Sequence, residues 1–395
     1  MEGDFIKINE WLLPFSWIYG WGVKLRNMLF DIGILKSKAF DIPIISVGNI
    51  TVGGTGKTPH VEYLVELLRK NFRVAVLSRG YKRKTKGFAI ATKGCTAADI
   101  GDEPYQMKTK FPDVIVAVDK DRCHGITQLT ETPSAIQGER KDTDVILLDD
   151  AFQHRYVKPG INILLVDYHR LIIYDKLLPA GRLREPLSGK KRADIVIVTK
   201  CPPELKPMEY RVITKAMDLF PYQHLYFTKL VYQELQPIYC GESRPLHSLS
   251  KDEHVLLLTG IASPKQMMID LSPLTPHITP LTYSDHHDYT AADIEHINET
   301  FQEMPSPKLI ITTEKDAARL FGKDGLSQEV RHHLFVLPIR VEFMLNQQEM
   351  FNNNIIGYVR KNSRNSILVK AKDDHKSKDS HHSGNRSRTI SFRNN

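Results

Sequence analysis

An apolar, β-branched run at residues 42–47, Ile-Pro-Ile-Ile-Ser-Val, breaks at Gly48 and leads into Thr51-Val52-Gly53-Gly54-Thr55-Gly56-Lys57-Thr58. Val61 to Leu68 then follows a helical pattern. A strand, a glycine-rich loop and a helix in that order constrain the fold more than any other feature of the chain. Glycines let backbone N–H groups close around a phosphate, the helix N-terminus adds partial positive charge, and a Lys-Thr pair supplies a phosphate cation and a Mg²⁺-binding hydroxyl. The stretch matches the phosphate-loop pattern except that Thr51 stands where the opening glycine is expected. Pro59 suits the first helical turn, where a missing N–H costs little. Residues 51–58 are therefore the expected nucleotide-binding loop, with Lys57 on phosphate and Thr58 on metal.

Further apolar runs at Val74–Leu77, Val114–Val118, Val145–Leu148, Ile161–Val166 and Ile195–Val198 alternate with helical or loop material. Near-continuous apolar character is what parallel strands covered on both faces require. A second series follows at Val255–Leu258, near Leu281, at Leu309–Thr312 and at Phe335–Leu337, with a helix expected over Thr290–Phe301. The expected class is α/β: a P-loop NTPase-like parallel sheet domain with a second, smaller α/β domain. A Pro-rich stretch near residues 200–207 marks the boundary. The predicted units are a helical region at 1–40, the nucleotide domain at 41–205, the smaller domain with a connecting hairpin at 206–360, and a disordered basic tail at 361–395.

The formal net charge is +8, but residues 361–395 hold nine Lys or Arg against three Asp, which leaves only +2 for the other 360 residues. Nucleic acid is not expected as a partner, since the folded part has no basic stripe. Four cysteines without a C-x-x-C pair argue against a zinc or redox motif and for a reducing compartment. All three tryptophans, Trp11, Trp17 and Trp21, fall near the start, and Trp11–Val23 carries no charge. The run is too short to span a bilayer. Trp17, Ile18, Trp21, Leu25, Met28, Leu29 and Ile32 recur near helical spacing beside Lys24, Arg26, Lys36 and Lys38. An interfacial helix on an anionic membrane surface fits this pattern, and a helix packed on the first domain is the competing reading.

The strand Val145–Leu148 ends in Asp149-Asp150, the Walker B arrangement in which a strand-end acid holds Mg²⁺. Gly101-Asp102-Glu103-Pro104 is a second acidic pair, readable as a helix start or as a general base near the γ-phosphate. Neither Thr199-Lys200-Cys201-Pro202 nor Thr313-Glu314-Lys315-Asp316 matches a guanine-reading N-K-x-D motif, and Val52 replaces the signature lysine of ParA-like ATPases.

Taken with Ser78-Arg79-Gly80-Tyr81, Asp121-Arg122, Leu148-Asp149-Asp150-Ala151-Phe152-Gln153-His154 and the block from Leu178 to Pro186 (LPAGRLREP), these motifs resemble the tetraacyldisaccharide 4′-kinase family. The resemblance continues through Thr259-Gly260-Ile261-Ala262, Asp285-His286 and Thr313–Asp316, covering about residues 10–345. It implies transfer of the ATP γ-phosphate to the 4′-hydroxyl of a lipid-linked glucosamine disaccharide 1-phosphate, with ATP and Mg²⁺ as cofactors. It implies a peripheral enzyme on the cytoplasmic face of the bacterial inner membrane, and no obligate protein partner is expected. By match, Lys57 and Thr58 bind phosphate and metal, Asp149 and Asp150 support the metal, Arg122 and Glu185 belong to the active site, and Asp102 is the base assisted by His286. The adjacent His287 offers the same chemistry. The competing functional classes are another P-loop ATPase, such as a metallochaperone, and a nucleotide-sensing module without catalysis.

Overall fold

The computed structural model describes residues 8–131, 135–136, 139–140, 143–261, 264–285 and 287–379, with side chains described outside 132–142 and as far as 363. In chain order the first half holds α1 (Leu13–Asp31), β1 (Ile44–Gly48), α2 (Lys57–Leu68), β2 (Val74–Ser78), β3 (Ala89–Ile90), α3 (Ala97–Ile100), α4 (Asp102–Lys110), β4 (Ile115–Val118) and α5 (Arg122–Glu131). A short antiparallel ribbon, β5 (Ala135–Ile136) with β6 (Glu139–Arg140), precedes β7 (Val145–Asp149), β8 (Ile161–Asp167), β9 (Ile195–Thr199), α6 (Pro207–Met217) and β10 (His224–Tyr232). The remainder is β11 (Gln236–Pro237), β12 (His254–Thr259), α7 (Lys265–Leu271), β13 (Ile278–Thr282), α8 (Ala291–Glu303), β14 (Lys308–Thr312), α9 (Glu314–Leu320), α10 (Gln328–His333), β15 (Leu334–Val336), β16 (Ile339–Phe343) and α11 (Gln348–Asp379).

The large sheet runs β16-β10-β9-β8-β1-β7-β2-β4-β3, and only its two outer strands are antiparallel to their neighbours. Alternate side chains of its central strands enter different cores. Ile45, Val47, Val76 and Leu147 pack under α2, α4 and α11, whereas Ile44, Leu77, Ile146 and Leu148 pack against Ile126 and Leu129 of α5. Burial on both faces explains why these strands read as continuous apolar runs. The smaller sheet, β11-β15-β14-β12-β13, is packed by α8, α9 and α10 on one face and by α7 on the other.

Two boundaries differ from the sequence-based expectation. The chain does not leave the large sheet near residue 205: β10 adds to β9 in parallel, and β16 returns to pair with β10. The smaller domain is therefore inserted between those strands. The expected connecting hairpin does not form either, because β10 and β11 lie in different sheets. The reason is that a strand of mixed burial such as Thr228–Tyr232, which pairs with β16, carries no local sign of which partner it takes.

The tail expected to be disordered from 361 instead continues α11 as far as Asp379, and residues 380–395 lie outside the described part. Phe351, Ile355 and Val359 of this helix are buried in the main core. Low apolar content rules out a core of its own for 361–379 but not a helix propagated from a docked one, where each added residue gains one hydrogen bond.

Helix α1 docks in an unusual sense. Its buried residues are Ser16, Gly20 and Phe30, while Trp17 is 69 % exposed and Trp21 78 %. Ile18, Leu25, Met28 and Ile32 are also exposed, as is Trp11 just before the helix. The apolar stripe predicted from spacing is real, apart from a half-buried Leu29, and faces away from the protein. Among the described residues no helix is long and apolar enough to cross a membrane.

Candidate active site

The glycine-rich loop links the C-terminal end of β1 to the start of α2, at the centre of the large sheet. Gly53 (φ +119°) and Gly56 (φ +77°) adopt backbone conformations that other residues enter only with strain, so glycine is required there. Thr51 needs no such freedom. It forms an antiparallel bridge to Leu183, and its hydroxyl accepts from Asn49 Nδ2 at 3.2 Å. The departure from the opening glycine is therefore compatible with the loop.

Several residues outside the motif brace it. Asn49 Nδ2 also donates to the Thr55 hydroxyl at 3.0 Å, and Thr199 Oγ1 donates to the Thr55 carbonyl at 3.0 Å. Lys200 Nζ donates to the Gly54 carbonyl and to Asp167 Oδ2 at 2.8 Å. His60 is buried, with Nδ1 2.7 Å from the Gly56 carbonyl and Nε2 3.0 Å from the Thr228 hydroxyl. Burial pushes its pKa down to about 4, so the ring is neutral. Thr199, Lys200 and the Thr228 partner of His60 come from strands or strand ends more than a hundred residues away, which no local pattern announces. Thr199-Lys200, set aside as a guanine reader, is in fact a brace.

Strand β7 lies beside β1, with Val47 opposite Asp149, so the strand-end acids fall next to the loop. Asp150 adopts φ +47°, a left-handed conformation uncommon outside glycine. That backbone turn leaves its carboxylate 3.4 Å from Lys57 Nζ and 3.7 Å from an Arg184 guanidinium nitrogen. Asp149 is buried, accepts from the Ser78 hydroxyl at 3.2 Å, and has no partner for Oδ1 among the described residues. Burial, then the charges of Glu103 and Asp150, raise its pKa to about 7. A buried carboxylate with an oxygen unpartnered among the described residues, next to a second acid, offers oxygen donors suited to a hard divalent cation. Arg122, also buried, donates to the backbone carbonyls of Asp119 (2.5 Å) and Asp149 (3.0 Å). Burial lowers its pKa to about 10, which leaves it a cation.

The Leu178–Pro186 block forms a strap over the loop. Val52 N–H donates to the Arg182 carbonyl at 2.8 Å and Arg184 N–H to the Ile50 carbonyl at 2.7 Å. Asp175, buried and paired with Arg170 at 2.7 Å, accepts from the backbone N–H groups of Lys176 and Arg182 and so shapes the strap. Gly181 sits so close that a Cβ there would lie 2.2 Å from the Lys176 carbonyl oxygen. Glu185 is buried beneath the strap and paired with Arg192 at 2.8 Å, whose guanidinium lies over the Phe152 ring.

Asp102 and Glu103 open α4 and face the smaller domain. Nε and Nη2 of the buried Arg319 both lie 2.9 Å from Asp102 Oδ2. Arg319 is in turn fixed by Asp316 (2.9 Å) and the Gly260 carbonyl (3.0 Å). Lys315 pairs with Glu103 at 2.5 Å. His286 lies outside the described residues. His287 is engaged elsewhere, with Nε2 2.9 Å from Asp293 and its ring stacked on Tyr283 at 4.8 Å. The structure thus brings Lys57, Asp149, Asp150 and Arg122 together, with Thr58 next to Lys57 in the first turn of α2, holds Glu185 in an ion pair with Arg192, and sets Asp102 at the domain contact. Glu103, the second member of the acidic pair read from sequence, was given no role of its own there, and its charge reaches Asp149.

One other grouping bears on the metallochaperone alternative. Ligand atoms of Asp121, Cys123 and His154 lie within 4.8 Å of one another. Burial, then the charge of Arg122, lowers the pKa of His154 to about 4, with Arg26 and Arg79 adding to the fall and Asp121 acting against it.

A mostly parallel sheet with a glycine-rich loop at its central strand and an acid at the neighbouring strand end defines a nucleotide-binding protein of P-loop kinase fold. The comparisons narrow the class. The model of the tetraacyldisaccharide-1-P 4′-kinase family matches residues 8–360, and the chain belongs to that family. It is 60 % identical over 368 residues to a tetraacyldisaccharide 4′-kinase of Phocaeicola vulgatus, covering 93 % of this chain and 99 % of that protein. A Bacteroides fragilis protein of the same name is 54 % identical, with 95 % of this chain and all of the relative covered. A crystal structure of LpxK from Aquifex aeolicus in complex with ATP is similar at a TM-score of 0.66 and 31 % identity, covering 88 % of this chain and 98 % of that one.

Proposed function

We propose that this chain transfers the γ-phosphate of ATP to the 4′-hydroxyl of a tetraacyldisaccharide 1-phosphate, a lipid A precursor, in a Mg²⁺-dependent reaction at a membrane surface. The observation that carries the reading is the meeting of Lys57 with Asp150 and of β1 with Asp149 at the mouth of the glycine-rich loop. Backbone N–H groups of residues 53–56 and Lys57 would hold the β- and γ-phosphates. Thr58, Asp149 and Asp150 would hold Mg²⁺, which neutralises charge on the transferred group. Arg122 stays cationic behind Asp149 and fixes its backbone. Glu185 orders the strap through Arg192. Asp102 is the proposed base for the sugar hydroxyl, with His286 as its partner, and the engagement of His287 with Asp293 favours that assignment. Arg319 pairs with Asp102 Oδ2 in this arrangement, so proton acceptance at that oxygen competes with the ion pair. The outward aromatic face of α1 supports peripheral attachment, since indoles favour the headgroup layer. Its position on a cytoplasmic membrane face belongs to the same proposal. Incubation with γ-labelled ATP and purified tetraacyldisaccharide 1-phosphate in detergent micelles tests it: labelled lipid should appear only with Mg²⁺, and its absence from folded protein would refute the reading.

A further inference from the structure

The face by which α1 docks is small and polar, and it lands on the strap over the glycine-rich loop. The Ser16 hydroxyl lies 3.0 Å from the Leu177 carbonyl and accepts from Ala180 N–H at 2.9 Å. Tyr19 Oη donates to the Arg184 carbonyl at 2.9 Å. Asn9 N–H donates to the Ala180 carbonyl at 2.9 Å. Gly20 lies so near Leu177 that a Cβ would meet its Cδ1 at 2.8 Å. The other edge of the strap is tied to the loop through Arg182, Leu183 and Arg184, which pair with Val52, Thr51 and Ile50. Arg184 takes part on both sides: its carbonyl receives Tyr19 and its N–H binds Ile50. A hydrogen-bonded path through Leu177–Arg184 therefore joins the exposed aromatic helix to the phosphate loop.

Little apolar burial holds this end of α1, because its large side chains point outward. In water the helix is held to the strap mainly by Ser16, Tyr19 and close packing at Gly20. Seating the outward face in a bilayer would immobilise the helix, and with it the strap and the loop edge. A loop ordered beforehand binds nucleotide with less loss of freedom. We infer that Ser16 and Tyr19 are positioning residues that couple membrane seating of α1 to the geometry of the phosphate loop, so that membrane contact raises nucleotide affinity. The inference rests on the interfacial reading of α1 given above.

Coupling between two binding events is reciprocal. Since Trp11, Trp17 and Trp21 are the only tryptophans, selectively excited tryptophan fluorescence reports α1 and the turn before it. The full chain would be titrated with phosphatidylethanolamine–phosphatidylglycerol vesicles, free of substrate lipid, and separately with a non-hydrolysable ATP analogue and Mg²⁺. Vesicles should raise analogue affinity about 5-fold or more, and the analogue should raise vesicle partition by the same factor. A doubly substituted Ser16→Ala, Tyr19→Phe protein should still give the vesicle-induced blue shift while its analogue affinity no longer responds to vesicles. Tyr19→Phe alone, which keeps the ring, should lose part of the response and guards against a folding defect, as does an unchanged melting curve. Vesicle binding by the wild-type protein with no change in analogue affinity would overturn the coupling and leave the interfacial reading standing. Absence of vesicle binding would overturn both. An affinity loss in the double variant that is equal with and without vesicles would reduce Ser16 and Tyr19 to ordinary structural contacts and overturn their assignment.

Discussion

At the scale of single residues, the chemistry of the site follows from a few side chains forced into unfavourable surroundings. Asp149 is buried with an oxygen unpartnered among the described residues, and Asp150 holds a strained backbone to meet Lys57. Such arrangements persist when a ligand offsets their cost. Lys57 is half-buried at the loop and aimed at developing negative charge, where a preorganised cation matters most. Lys57→Ala should lower turnover by roughly 10²–10³-fold. Its melting temperature should stay near that of wild type, because Lys57 contributes one 3.4 Å contact and no core packing. Near-wild-type phosphoryl transfer by folded Lys57→Ala protein would remove the loop from the mechanism. The loop, Lys57, Thr58 and the strand-end acids were legible in sequence because each is local, with residue type and spacing stating the chemistry. Asn49, His60, Thr199 and Lys200 were not, since a brace is defined by the group it reaches, and those groups lie up to 168 residues away.

At the scale of elements, α1 and α11 show that composition and docking are separate matters. The aromatic stripe of α1 was visible from spacing, but a stripe turned inward and one turned outward have the same sequence period. Small residues at Ser16 and Gly20 decide the outcome, because they let the opposite face approach the strap. Replacing Trp17 and Trp21 with Ser should move protein from the membrane to the soluble fraction and raise KM for lipid more than KM for ATP. Both measurements unchanged would mean that the exposed stripe has no membrane role. Helix α11 divides into a docked part and a remainder. Phe351 is buried among Tyr63, Tyr226 and Phe343, so Phe351→Ala should cost about 3–5 kcal/mol of stability by chemical denaturation. Deleting residues 364–395 should leave kcat unchanged, because Phe351, Ile355 and Val359, which dock α11 in the main core, precede the cut. A large fall in kcat on truncation would give the tail a catalytic part.

At the scale of the whole molecule, the two domains meet through charge. Helices α4 and α9 carry the pairs Asp102–Arg319, Glu103–Lys315 and Lys110–Glu314, and Lys110 also binds the buried Glu62 at 2.6 Å. Two carboxylates thus share one lysine. Burial, then the charge of Glu314, raises the Glu62 pKa to about 7, while Lys110 acts against the rise. A folded-state pKa above the unfolded value of about 4.3 means that the folded protein holds a proton the unfolded chain releases. The associated stability is complete below about pH 4 and is lost as pH climbs to about 7 and beyond. Glu62→Gln should therefore raise the melting temperature at pH 8 by roughly 1–3 °C, with little change at pH 5. An equal shift at both pH values would show that Glu62 does not titrate in this window. The same contact sets the test of the base. Asp102→Ala and His286→Ala should each lower kcat with little effect on ATP affinity, and the double variant should be scarcely worse than the poorer single one, as for groups acting as a unit. Fully multiplicative losses would make the two independent.

The sequence by itself determined the class of fold, the nucleotide loop and the acids at the neighbouring strand, because strand periodicity and phosphate chemistry are both written within a dozen residues. It also carried the family resemblance, through blocks whose order is preserved over most of the chain. Tertiary structure alone decided that the smaller domain is an insertion between β10 and β16, that α1 turns its aromatic side outward, and that α4 and α9 lock Asp102 to Arg319. Each of these depends on which surfaces meet across more than a hundred residues of chain. Pairing at that distance is selected by burial and charge complementarity in the assembled molecule, and no local pattern encodes it.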